Sequence, residues 1–259
     1  MKISIRSVLD YTIDGIADLL VQVEAAEMPH QAVRNARFDP GVTEHFSRIS
    51  AEDGIGTRVW LRSAERLNCT YTAEVEVSRR REDITTMAQD PVHKLPHEAV
   101  RYLMASRYCP SDEFQSFVGA EFGSLSGGAC IKAMSDWIED CLSYVPGSSH
   151  AGTTALDTFV QRRGICRDYA HLLISLARAS AIPARMVSAY GPEVTPMDFH
   201  AVVEVWLDGG WRLVDPSGMS APDRLAIIGV GRDAADIAFL TSYGFVTLQE
   251  QVVDVTETA

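Results

Sequence analysis

Along the first third of the chain, apolar and polar positions tend to alternate in short runs. "KISIRSVLDYTI", "ADLLVQVEAA", "EHFSRIS", "TRVWLRS" and "NCTYTAEVEVS" are rich in β-branched and aromatic residues, with Gly, Pro, Asp or Asn between them. A period of two predicts strands with one buried face, hence an antiparallel sheet or sandwich. Near residue 96 the spacing becomes helical. "PHEAVRYLMAS" starts with proline at a favourable first-turn position, and "EFQSFVGAEFG" and the amphipathic "GACIKAMSDWIEDCLSYV" follow.

The next helix, over "TTALDTFVQRRG", carries its own boundary signals. Thr154 can cap it, Asp157 stands in the capping-box position, and Gly164 suits a left-handed exit. Another helix begins near Cys166 and runs to about Ala181, because Pro183 cannot continue it. Strands return from residue 184 in "ARMVSAY", "FHAVVEVWL", "GWRLVD", "LAIIGVG" and "GFVTLQEQVVDV", with one more helix around "RDAADIAFLT". The expected fold class is α+β, with an N-terminal antiparallel β region over residues 1–100 and a helix-and-sheet core over residues 101–259.

Composition narrows the function classes. A chain of 259 residues with 46% hydrophobic and 22% charged residues can bury a real core without staples. Its net charge of −12 opposes binding to a phosphate backbone or an anionic membrane. The single basic run, Arg79 to Arg81 in "SRRRED", is followed at once by acids and reads as a solvated strand end. No apolar run is long enough to span a bilayer, and the N-terminus lacks the apolar stretch of a secretory signal. No nucleic-acid or membrane partner is therefore expected.

Cysteines 69, 109, 130, 141 and 166 are odd in number, irregularly spaced and without a CxxC pair, which suits reduced thiols in the cytoplasm. Pro96 interrupts the spacing of His93 and His97, so they are not read as metal ligands, and no EF-hand-like loop is present. No cofactor or metal is expected.

"RRGICRDYAH" puts Cys166 in the first turn of a helix. Unpaired backbone N–H groups and the positive end of the helix dipole favour a thiolate there. Residues 166, 169, 170, 173 and 177 form the packed stripe of that helix, with Arg167, His171, Ser175 and Arg178 opposite.

A nucleophilic thiol needs a base, and the base needs an orienting group. His200 opens "FHAVVEVWLDGGWRLVD", which reads as a hairpin. If Asp208-Gly209 is a two-residue turn, Leu207 pairs with Gly210 and Asp215 falls opposite Val202. Asp215 is then the diagonal neighbour of His200, about 7–8 Å away between backbones. A one-residue slip would separate them unless a bulge intervened. Glu204, on the same strand face as His200, is the rival acid. Asp168 and His171 read as structural hydrogen-bonding groups, and Trp137, Trp206 and Trp211 as core or groove walls. No motif locates an oxyanion donor; the backbone N–H of Cys166 is the physical choice.

"GICRDYAHLLISLARASAIPAR" followed by "DFHAVVEVWLDGGWRLVDPSG" resembles the transglutaminase-like superfamily of papain-like cysteine enzymes. "RYCPSD" and the strand-rich first third are similar to a bacterial branch to which cysteine-protease activity is ascribed. The resemblance implies a catalytic triad of Cys166 as nucleophile, His200 as general base and acid, and Asp215 as orienter. It also implies a Cys helix packed on an antiparallel sheet. The expected activity is thiol-dependent cleavage of amide or peptide bonds in a peptide or protein substrate through a thioester acyl-enzyme. The alternatives are a protein-glutamine transglutaminase or deamidase, and a non-catalytic binding module on the same fold.

Overall fold

In the computed structural model, which describes residues 1–258, the first third of the chain forms four strands: β1 (Lys2–Val21), β2 (Gln31–Asp39), β3 (His45–Ser50) and β4 (Thr57–Val77). β1 and β4 each join two of the runs that the sequence shows as separate. At the junction Thr12 pairs with Arg66 but Ile16 with Ala64, a two-residue slip at a bulge where Gly15 takes φ +80°. An even slip does not flip the strand faces, so Ile3, Ile5 and Leu9 before it and Ala17, Leu19 and Val21 after it all stay buried. β2 and β3 run antiparallel to opposite halves of β4. β2 escapes the sequence pattern because most of its positions are exposed or half-exposed.

After a one-turn α1 (His97–Val100) come α2 (Gln115–Glu121) and α3 (Gly127–Cys141). β5 (Ser143–Tyr144), α4 (Ala155–Gln161) and β6 (Arg163–Gly164) lead to α5 (Cys166–Ala179). α4 has the expected cap, with Thr154 and Asp157 bonded reciprocally. Its left-handed exit, however, is Arg162 at φ +57°, two residues before Gly164.

β7 (Ala184–Tyr190), β8 (His200–Leu207), β9 (Gly210–Val214) and β10 (Ala226–Gly231) form a second antiparallel sheet in the order β10-β7-β8-β9. α5 shares a core with Ala184, Met186, Val203, Val205 and Leu207 of this sheet. Of its polar stripe, His171, Ser175 and Arg178 are buried too. Arg178 donates to the carbonyls of Ala184, Met104 and Arg232 at 2.6–3.0 Å and locks the far end of α5 in place.

The chain then returns to the first sheet. After α6 (Ala234–Ile237), β11 (Leu240–Tyr243) pairs with Asp18–Val21, and β12 (Val246–Thr258) pairs with Lys2–Ile13. Across the boundary expected at residue 100, the last strands join the sheet of residues 2–77. The cause is burial, since Val253 and Val255 complete the apolar face begun by Ile3 and Ile5. The two sheets are also tied together by polar contacts. Tyr190 donates its hydroxyl proton to the Val23 carbonyl at 2.7 Å, and Gln31 bridges the backbone of Ala26 and Ile227. No helix among the described residues is long and apolar enough to cross a membrane.

Candidate active site

Cys166 is the first helical residue of α5, preceded by Ile165 in extended backbone. Asp168 fixes that start. Its Oδ2 accepts the Ile165 N–H at 2.8 Å, and its Oδ1 takes the Arg167 guanidinium at 3.2 Å. Asp168 has no exposed surface, and a Cβ on Gly164 would meet its Cβ at 2.6 Å. Gly164 is therefore required for close approach rather than for a helix exit. The expected structural role of Asp168 describes what it does here.

The hairpin has the register that the turn chemistry predicts. Asp208 and Gly209 both have positive φ, +46° and +69°, as a type I′ turn needs, and the ladder runs from Leu207–Gly210 to Val203–Val214. Asp215 follows directly. Its Oδ2 lies 2.8 Å from His200 Nε2, and both side chains are buried. The rest of the carboxylate is satisfied: Oδ1 accepts the N–H and hydroxyl of Ser217 at 2.9 and 2.7 Å, and Oδ2 accepts the Ser220 N–H at 3.0 Å. Glu204 is committed elsewhere, to the buried Arg185 guanidinium at 2.7–2.8 Å.

The second ring nitrogen of His200, Nδ1, is buried without a regular hydrogen bond, and the group that acts on the ring besides Asp215 is the Cys166 thiol. Burial alone would lower the His200 pKa. Its hydrogen bonds to Asp215 and Cys166, and the charges on both, outweigh burial and raise it to about 10. For Asp215, burial pushes upward, yet the His200 contact and the two bonds from Ser217 leave the carboxyl below its ordinary value. Beside the carboxylate and the cysteine sulfur, the imidazolium is thus the stable form of His200 at neutral pH.

Tyr144 also reaches the cysteine, and no sequence signal pointed to it. β5 runs parallel to β6 with Tyr144 opposite Gly164, and the Val145 N–H donates to the Gly164 carbonyl at 2.9 Å. This pairing puts the half-buried Tyr144 ring beside Tyr169, 5.9 Å between centroids, at the first turn of α5. Burial raises the Tyr144 pKa, and the neighbouring Cys166 also acts on it. From the other side, Asp198 in the β7–β8 loop receives a 2.6 Å hydrogen bond from Gln251 of β12. The N-terminal sheet therefore anchors the loop that leads into His200.

The other sequence candidates lie outside this cluster. His171 is fully buried, stacks on Tyr108 at 5.0 Å and accepts the Ala234 N–H through Nε2. Trp206 and Trp211 pack edge to face, with the Arg185 guanidinium 4.1 Å from the Trp211 ring, and Trp137 joins Phe117 and Phe159. His93 and His97 are exposed, and no set of three or more His, Cys, Asp or Glu among the described residues is arranged to hold a metal ion.

A family model described as the transglutaminase-like superfamily matches residues 123–216, a span containing Cys166, His200 and Asp215. A solved protein of Cytophaga hutchinsonii, to which cysteine-protease activity is ascribed, is 30% identical and superposes with a TM-score of 0.94 over 100% of this chain and 92% of that one. The chain belongs to the transglutaminase-like superfamily. An uncharacterized Mycobacterium leprae protein is 32% identical over 117 residues, 42% of each chain. A Pseudomonas aeruginosa protein-glutamine gamma-glutamyltransferase is 38% identical over 87 residues, 29% of this chain and 13% of that enzyme. The matches thus span less than half the length of these curated relatives.

Proposed function

We propose that this protein is a thiol-dependent acyl-transfer enzyme that cleaves amide or peptide bonds, with Cys166, His200 and Asp215 as its catalytic residues. The observation that carries the reading is the buried 2.8 Å bond from His200 to Asp215 beside a cysteine that starts a helix. The Cys166 sulfur attacks the carbonyl carbon, and the C=O pair moves to oxygen. As the C=O bond re-forms, the C–N bond breaks and His200 gives its proton to the departing amine. Asp215 keeps the imidazole oriented and stabilises its charged form. Water, deprotonated by His200, then resolves the thioester.

A second reading has its own observation, the 38% identity to a glutamyltransferase over 87 residues. There an amine resolves the thioester in place of water, and the triad serves both outcomes. The deciding experiment incubates the protein with a mixed peptide library containing glutamine peptides and an amine probe, then weighs the products. Hydrolysed peptides that disappear with Cys166→Ala are expected; stable amine incorporation exceeding hydrolysis would replace the peptidase reading with the transferase. Iodoacetamide tests the chemistry without a substrate. Burial raises the thiols of Cys69 and Cys109 to about 12, and Cys141 is exposed at the end of α3. Cys166 should alkylate well ahead of the other four at neutral pH, whereas uniformly slow thiols would leave only a binding module.

A further inference from the structure

β9 is the last strand of its sheet and pairs with β8 alone, so its other edge is open. In a two-residue hairpin the pair beside the turn, here Leu207–Gly210, exchanges hydrogen bonds, and bonded and non-bonded pairs then alternate along the ladder. Arg212 and Val214 therefore bond to β8, while the N–H and C=O groups of Trp211 and Leu213 point outward. Those four groups meet no backbone partner among the described residues. They border a cleft of about 780 Å³, within the size range of ligand sites. Trp211, Arg212 and Leu213 all line it. Successive side chains of a strand point to opposite faces, so three consecutive residues share one space only along the strand's edge.

The same cleft takes in Arg79 and Arg80 of the basic run after β4, which is thus more than a solvated strand end. Arg79 is half-buried and donates to the carbonyls of Pro222 and Leu225, both at 3.0 Å, and Arg80 is exposed. Neither forms an ion pair among the described residues. Arg212 lies 3.5 Å from Glu82 and keeps a buried Nε without a partner. The other acid of the cleft, Glu204, is already held by Arg185. A chain of net charge −12 therefore gathers unpaired positive charge beside an unpaired strand edge.

We propose that the β9 edge and this cleft bind an extended peptide segment with acidic side chains, taken up as a fifth strand of the second sheet. The peptide exchanges two hydrogen bonds with Trp211 and two with Leu213, whatever its sequence. Its side chains alternate, and those turned into the cleft meet Arg79 and Arg80, which select carboxylates. A nucleic acid would also meet the arginines, but it has no ladder of N–H and C=O groups to offer the edge. β9 runs directly into Asp215, so the bound strand lies along the sheet edge that leads to the triad. The site is one of binding and stands apart from the acyl-transfer reading.

The test uses the whole chain carrying Cys166→Ala, so that turnover plays no part, and a blocked, fluorescein-labelled hexapeptide of alternating Glu and Thr. Fluorescence anisotropy should show saturable binding with a Kd of about 1 mM or below, which the same peptide with Lys in place of Glu does not share. Arg80→Glu reverses an exposed charge with no ion-pair partner to lose. It should weaken binding about tenfold or more, the scale of one hydrogen bond to a charged group. Amide hydrogen exchange by NMR reads the strand itself. At saturation the N–H groups of Trp211 and Leu213 should slow at least about tenfold, whereas those of Arg212 and Val214, already bonded to β8, should change less. Equal affinity for the Lys peptide, or none for either, would overturn the proposal. So would acidic-peptide binding that leaves Trp211 and Leu213 unprotected, or that Arg80→Glu does not weaken. A single-stranded oligonucleotide that binds more tightly and displaces the peptide would replace it with a phosphate-backbone site.

Discussion

Replacing Asp215 with Asn probes the site at the contact where the geometry is most constrained. The carboxylate accepts four hydrogen bonds, two on each oxygen: His200 Nε2 and the Ser220 N–H on Oδ2, and the Ser217 N–H and hydroxyl on Oδ1. An amide supplies one accepting oxygen and one donating NH2. With its oxygen toward His200, the NH2 faces the Ser217 N–H; turned over, it faces the Ser220 N–H and His200, forcing the wrong imidazole tautomer. Both orientations lose the negative charge. The rise in His200 from 6.5 to about 10 corresponds to about 5 kcal/mol favouring the imidazolium, shared between Asp215 and Cys166. Losing about half of that, with the tautomer disturbed as well, predicts a fall in kcat/KM of about 100- to 10,000-fold at neutral pH.

The assay follows hydrolysis of a peptide p-nitroanilide, an amide whose leaving group needs the His200 proton, between pH 5 and 11. Because His200 acts here as the protonated acid, activity disappears as pH rises through its pKa, which puts the wild-type alkaline limb near 10. In Asp215→Asn that limb should move down by about one pH unit or more. A variant that keeps kcat/KM within about tenfold and still loses activity only near pH 10 would refute the role of Asp215.

Glu204→Gln should leave kcat/KM within a few-fold but cost about 3–5 kcal/mol in urea unfolding, because it strips one partner from the buried Arg185; a loss of activity at unchanged stability would restore Glu204 as the working acid. Gly164→Ala should cost about 2–4 kcal/mol and slow Cys166 alkylation, since its methyl displaces Asp168 from the Ile165 N–H; equal denaturation midpoints would remove that reading. Burial lowers the His171 pKa to about 4, so the folded state resists a proton that the unfolded state takes near 6.5. Its stability is complete above 6.5 and should fall by about 3 kcal/mol as pH drops to 4, and His171→Gln, which still offers an acceptor to the Ala234 N–H, should flatten that part of the unfolding-versus-pH curve.

What could be read before the fold was seen is mostly local. The Thr154–Asp157 cap, the Asp208-Gly209 turn and the helix start at Cys166 depend on residues within a few positions of one another. The hairpin carries that local signal as far as the His200–Asp215 contact, because the turn sets every later pairing. Non-local pairing was not legible. Nothing within residues 246–258 says that they pair with residues 2–13, some 240 positions away, and only the completed apolar face selects that partner. Tyr144 was hidden for the same reason: a two-residue parallel bridge has no periodicity, and "LSYVPG" reads as the tail of α3.

The two histidines of the motifs show why residue type and spacing stop short of function. His171 and His200 are both buried to within 1% of full burial, and each has a carboxylate nearby, yet their pKa values move to about 4 and about 10. The ring contacts decide the direction. Nε2 of His171 accepts a backbone N–H, which only the neutral ring can do, and Asp233 and Asp168 act at a distance too weakly to offset burial. Nε2 of His200 instead meets a carboxylate whose remaining lone pairs are tied down by Ser217 and Ser220. That carboxylate cannot turn away, so a proton on the ring is held on one side while the cysteine waits on the other. In the sequence both histidines stand in plausible motifs beside an aspartate. The difference between a neutral buried ring and a charged one lies in which partner the hairpin register delivers to it.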